Sequence, residues 1–111
     1  MLIKETKYKV NFIDKNDTFV GFDMEGQCCE NYGWYIANSV TDQVQEEIRG
    51  AEGFWFDITA DPVEYSTDDC YTVAFKLVNS SGEILYLHLF NEHNGYYSHG
   101  WNTSFGCEGY L

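Results

Sequence analysis

Residues 71–101 decide the fold class. They read Tyr71-Thr-Val-Ala-Phe-Lys-Leu-Val78, Asn79-Ser-Ser-Gly82, Glu83-Ile-Leu-Tyr-Leu-His-Leu-Phe90 and Asn91-Glu-His-Asn-Gly-Tyr-Tyr-Ser-His-Gly-Trp101. In the first run Tyr71, Val73, Phe75 and Leu77 alternate with Thr72, Ala74, Lys76 and Val78; in the second, Leu85, Leu87 and Leu89 alternate with Ile84, Tyr86, His88 and Phe90. A period of two sends alternate side chains to opposite faces of a strand. The Asn-Ser-Ser-Gly between the runs is turn chemistry, and Gly82 can take a positive φ at no steric cost. The two runs therefore predict a β-hairpin. Both faces of its second arm are largely apolar, which predicts a central strand covered on both sides.

Outward from the hairpin, the rest of the chain is mostly strand-like. Residues 5–14 alternate Tyr8, Val10 and Phe12 with Lys7, Lys9 and Asn11, and residues 18–24 set Val20 and Phe22 against Phe19 and Gly21. Asp14-Lys-Asn-Asp17 between them is a turn. Its faint echo of a calcium loop fails, because Thr18 and Phe19 stand where an acid or amide and a glycine are needed. Residues 34–38 predict a short strand, with Gly33 as a bulge or bend. One helix is expected over residues 41–50: Thr41 can cap it, Val40, Val44 and Ile48 form its buried stripe, and Gly50 can end it. Gly53–Thr59 is strand-like, Glu64–Asp69 is an acidic loop, and the tail after Trp101 is loop or a last edge strand. The sum is an α+β fold: a single small domain over residues 1–111, mainly an antiparallel twisted β-sheet with one short α-helix packed on it.

Composition bounds the function classes. The chain has 111 residues, 44% hydrophobic and 18% aromatic, which excludes a disordered tail. No apolar run approaches the ~20 residues a membrane span needs, and the charged Met1-Leu-Ile-Lys-Glu-Thr-Lys start does not read as a secretion signal. The expectation is a cytoplasmic protein. Net charge is −12 and unevenly spread. Residues 1–15 hold four lysines against two acids, a net of +2, whereas residues 16–111 hold two cations against sixteen acids, a net of −14. Such a field repels nucleic acid and lipid phosphate and attracts basic surfaces.

Cys28-Cys29 is the most unusual local feature, and Cys70 and Cys107 are isolated. The CxxC spacing of zinc ribbons and redox sites is absent. In a tight loop both thiolates of the pair could reach one zinc ion, with His93 and His99 completing a tetrahedral set and Cys107 or Asp23 as further candidates. The competing reading is that these cysteines are small buried hydrophobes in a reducing compartment. His88, on an apolar strand face, reads as a satisfied core or interface residue. His93 or His99 could pair with Glu92 or Glu30 as acid and base, but no nucleophile elbow, phosphate loop or HExxH is present. Tyr97, His99 and Trp101 share a face, either as core or as an exposed aromatic anchor for a partner.

Gly26-Gln27-Cys28-Cys29-Glu30, the run Tyr71–Leu77, Gly82 and Asn94-Gly95-Tyr96-Tyr97-Ser98 resemble an uncharacterised family of small domains common in bacteriophage and prophage genomes. The likeness covers most of the chain, residues 17–105. It implies a phage or mobile-element origin and brings no established activity. His93, His99, Cys70 and Cys107 lie outside its signature. Small size, strong acidity and that origin make the chain similar to anti-CRISPR proteins, an analogy and no more. The functional expectation is a non-enzymatic inhibitor, working in the host cytoplasm, that docks in the cationic nucleic-acid groove of a defence nuclease, most typically a Cas9-type effector. Glu46, Glu47, Asp57, Asp61, Glu64, Asp68 and Asp69 would stand in for DNA phosphates, without direct nucleic-acid or membrane binding. A zinc-stabilised accessory module and a small-nucleotide binder are the alternatives.

Overall fold

The computed structural model describes residues 1–25, 31–40, 51–67, 70–92 and 98–111. Ten strands lie in them: β1 (Leu2–Glu5), β2 (Lys9–Ile13), β3 (Phe19–Asp23), β4 (Asn31–Ala37), β5 (Trp55–Phe56), β6 (Val63–Thr67), β7 (Cys70–Val78), β8 (Ile84–Glu92), β9 (Gly100–Thr103) and β10 (Glu108–Tyr110). They build two antiparallel sheets. The first runs β1-β2-β3-β9-β10 and the second β4-β8-β7-β5, with β6 also on β7.

This corrects the expected α+β class and its single sheet. Among the described residues the protein is all-β, with no helix, and the sheets are two. The predicted helix over 41–50 lies outside the described residues. The physical reason for the second correction is that alternation marks a strand but is silent on which ladder it joins. The chain changes sheet between β3 and β4 and again between β8 and β9 without a change in local pattern.

The expected main hairpin forms, with Val73 opposite Leu89, Phe75 opposite Leu87 and Leu77 opposite Leu85. At its turn the Gly82 N–H donates to the Asn79 carbonyl (3.2 Å), and the Asn79 Oδ1 accepts from Ser81 (3.1 Å) and Glu83 (2.9 Å). Gly82 takes φ 79°, the left-handed value glycine accommodates. β8 lies between β4 and β7, as its two apolar faces require. Gly33 makes no bulge: it pairs with Phe90 in an unbroken ladder, where a Cβ would come 3.3 Å from the Phe90 ring. The acidic loop expected from Glu64 is instead largely strand β6, because Val63–Thr67 completes the free edge of β7.

One apolar cluster fills the space between the sheets. Val10, Phe12, Val20, Phe22 and Trp101 come from the first sheet, and Ile36, Val73, Phe75, Leu77, Leu87 and Leu89 from the second. Phe12 meets Trp34 edge-on at 5.0 Å, and Phe75 meets Trp101 edge-on at 5.4 Å. Both pairs join the two sheets, in the edge-to-face geometry aromatic rings prefer.

A polar tie supplements this core. Asp14 is buried, and its Oδ1 accepts the N–H groups of Asn16 (2.9 Å) and Thr18 (3.0 Å). Its Oδ2 accepts the buried N–H of Phe56 on β5 (2.9 Å). The same carboxylate thus closes the β2–β3 turn and fastens it to the other sheet.

A candidate partner-binding edge and a buried histidine pair

β5 and β6 lie end to end along one edge of β7, separated by an excursion over residues 57–62. Asp57 opens that excursion. Its N–H donates to the Lys76 carbonyl (3.0 Å), and its Oδ1 accepts from the Thr59 N–H (3.0 Å) and hydroxyl. Its Oδ2 lies 3.5 Å from the Lys76 ammonium. The Thr59 hydrogen bonds, aided by Lys76, hold the Asp57 carboxyl below its ordinary range. Asp57 therefore serves the local turn, and a partner would meet a carboxylate already engaged. Asp61 and Glu64 differ: both are exposed, and the Asp57–Lys76 pair is the only ion pair among the described residues. Along the same edge Ile58 (59% exposed), Val63 (42%) and Tyr71 (43%) are partly exposed, with Val63 and Glu64, neighbours on β6, on opposite faces. Glu64, Tyr65, Ser66 and Tyr71 also line a groove of about 230 Å³ together with Tyr110 and Leu111. Of the other expected partner-binding acids, Glu46, Glu47, Asp68 and Asp69 lie outside the described residues.

The expected zinc ligands separate in the same way. Cys28, Cys29 and His93 lie outside the described residues, and His99 lies inside the sandwich, fully buried. The His99 Nδ1 is 2.8 Å from the Asp23 carbonyl, and the ring stacks on Tyr32 at 4.4 Å. A carbonyl only accepts, so Nδ1 carries a proton and donates to it. No group of three His, Cys, Asp or Glu side chains suited to a metal occurs among the described residues. Trp101, expected on the same face as His99, is there, but as core at 5% exposure, so it offers no surface anchor.

Sequence reasoning placed His88 in the core and missed what it does there. Its Nε2 donates to the Ser39 carbonyl (2.8 Å), which leaves Nδ1 to accept the Tyr65 hydroxyl (3.1 Å). Tyr35, its cross-strand neighbour, stacks on the ring at 4.5 Å and 7°. Burial pushes the imidazole below its ordinary value, against the opposing Ser39 hydrogen bond. The histidine is thus a neutral linker between β6, β8 and the segment after β4. Only the β6 pairing that brings Tyr65 across β7 could have revealed this. Cys70 is a free thiol pushed up by burial, the opposite of an activated nucleophile.

Among the described residues no helix is long and apolar enough to cross a membrane. Comparison with models of known families, with curated proteins and with solved structures finds no match for this chain.

Proposed function

We propose that this chain is a non-catalytic binding protein that docks through its β5–β6 edge on a cationic surface of a partner protein. The observation that carries this reading is the presence, along this one edge region, of exposed apolar groups, Ile58, Val63 and Tyr71, and of the exposed carboxylates of Asp61 and Glu64, which join no ion pair among the described residues. Protein interfaces combine a few apolar or aromatic anchors with a polar rim, and carboxylates on that rim steer association with a basic partner. The net charge of −12 acts in the same direction and disfavours nucleic acid as the ligand. The partner class that fits is a protein with a positively charged nucleic-acid groove. A host defence nuclease of the Cas9 type is the specific target proposed, with Asp61 and Glu64 standing where DNA phosphates would lie.

The test is pull-down and inhibition of such a nuclease with the parent protein and with Asp61→Lys/Glu64→Lys. The charge-reversed protein is expected to lose at least tenfold in affinity, and parent binding is expected to weaken as salt rises. Unchanged inhibition after charge reversal sinks the proposal.

A second reading, a zinc-stabilised module, is supported by the orientation of His99, whose Nδ1–H is held by a carbonyl. Cys28, Cys29, His93 and His99 would then hold one zinc ion, which would cross-link the segments around β4 and β9. Elemental analysis of chelator-free protein beside Cys28→Ser/Cys29→Ser tests it: about one zinc per parent chain, lost in the variant, is expected. Metal-free parent protein removes this reading.

A further inference from the structure

The outer face of the first sheet adjoins the edge described above at Tyr110 and Glu108, and its register assembles an unusual row. Lys4 pairs with Asn11, Asn11 with Gly21, Gly21 with Asn102 and Asn102 with Glu108, so five strands contribute one residue each across the sheet. Gly21 is the low point. A Cβ there would lie 2.7 Å from the Asn102 Oδ1, 2.8 Å from the Asn11 Oδ1 and 3.3 Å from the Lys9 Cε. Two carboxamides and a lysine stem therefore converge over a residue with no side chain. Neither carboxamide makes a hydrogen bond to another described residue, although each can donate two and accept two.

Beside this row Tyr110 pairs with Gly100. A Cβ on Gly100 would sit 3.4 Å from the Tyr110 ring, so the ring rests against bare backbone, yet Tyr110 is 79% exposed. Lys9, Gly100, Asn102, Glu108 and Tyr110 line a shallow depression of about 490 Å³.

We propose that this face is a binding site for a neutral saccharide, with Tyr110 as the platform for one sugar ring and Asn11, Asn102, Lys9 and Glu108 as hydroxyl partners. Three features select that chemistry. A tyrosine ring that meets the Gly100 backbone along one edge and is otherwise in water offers an apolar face of the size of a sugar's C–H surface. Unspent amides and a carboxylate alongside it match ligands that both donate and accept. Lys9 and Glu108 cancel in charge, and the acidic remainder of the chain disfavours a phosphorylated ligand. The depression is open, so affinity is weak, with Kd on the order of 1 mM.

The test is a ¹H–¹⁵N NMR titration of the whole protein with cellohexaose, maltohexaose, laminarihexaose and chitohexaose, each to about 10 mM, and with AMP as the charged aromatic control. At least one oligosaccharide is expected to shift amides at Lys9–Asn11, Gly21, Gly100–Asn102 and Glu108–Tyr110. Tyr110→Ala, an exposed substitution, should weaken binding about tenfold, and Asn102→Ala several-fold. Changing salt from about 50 to about 500 mM should leave the Kd unmoved. The site is refuted if no oligosaccharide shifts these amides, if Tyr110→Ala binds as the parent does, or if AMP binds the face more tightly than every sugar.

Discussion

Replacing Asp14 should cost more stability than any other single polar substitution in the described core. Its carboxylate accepts three backbone N–H groups, from Asn16 (2.9 Å), Thr18 (3.0 Å) and Phe56 (2.9 Å). The Phe56 donor is buried, whereas water can reach the two turn donors once the carboxylate is gone. A stranded buried donor costs about 2 kcal/mol and each lost turn bond about 1 kcal/mol, so Asp14→Ala should cost about 4 kcal/mol. That is a large part of the 5–15 kcal/mol typical of a domain, and at this size lowers Tm by about 20 °C. Asp14→Asn separates the two roles. Its remaining carbonyl can still serve the turn, but its NH2 faces the Phe56 N–H, donor against donor, for a cost of about 2–3 kcal/mol. Urea unfolding followed by tryptophan fluorescence measures both, and Trp55 beside the site should report the change. A cost below about 1 kcal/mol for Asp14→Ala would refute the claim that this carboxylate fastens the β2–β3 turn to β5.

Other consequences are equally direct. Because burial holds His88 below its ordinary pKa, the unfolded chain takes up this proton first; stability is therefore expected to fall as pH drops below about 6.5, and His88→Phe to flatten that slope in urea midpoints measured between about pH 7 and 5. Gly109→Ala would place a Cβ 2.9 Å from the Trp101 ring, which Phe75 already packs edge-on, and should cost about 1–3 kcal/mol with a changed near-UV dichroism; unchanged stability would mean that the indole has room to move. Lys76→Met breaks the Lys76–Asp57 pair, whose partners are partly exposed, and should cost less than about 1 kcal/mol in the same unfolding assay, since Thr59 still caps the Asp57 carboxylate.

Parts of the candidate sites were legible in the chain and parts were not. Asp61 and Glu64 were among the seven acids the sequence offered for partner binding, and both are exposed. Asp57 looked equivalent to them, but Thr59 and Lys76 engage it, a partnership that requires β5 to lie along β7. Tyr110 and the two asparagines over Gly21 carried no signal, because Asn11 lies ninety-one residues before Asn102 and further still before Tyr110, and they meet only when β9 joins β3 and β10 joins β9.

The sequence by itself determined part of the strand set. Alternation set the faces of β2, β3, β7 and β8, and Asn79-Ser-Ser-Gly82 set the turn of the central hairpin, because these are local consequences of a two-residue period and of one turn. It also determined the acidity that frames every functional reading. Only the tertiary structure decided that the strands form two sheets, that Val63–Thr67 is an edge strand, and that His88 and His99 are buried with ring nitrogens donating to backbone carbonyls. The reason is that a strand's faces follow from its own residues, while its ladder partners depend on which distant segments bury those faces most completely.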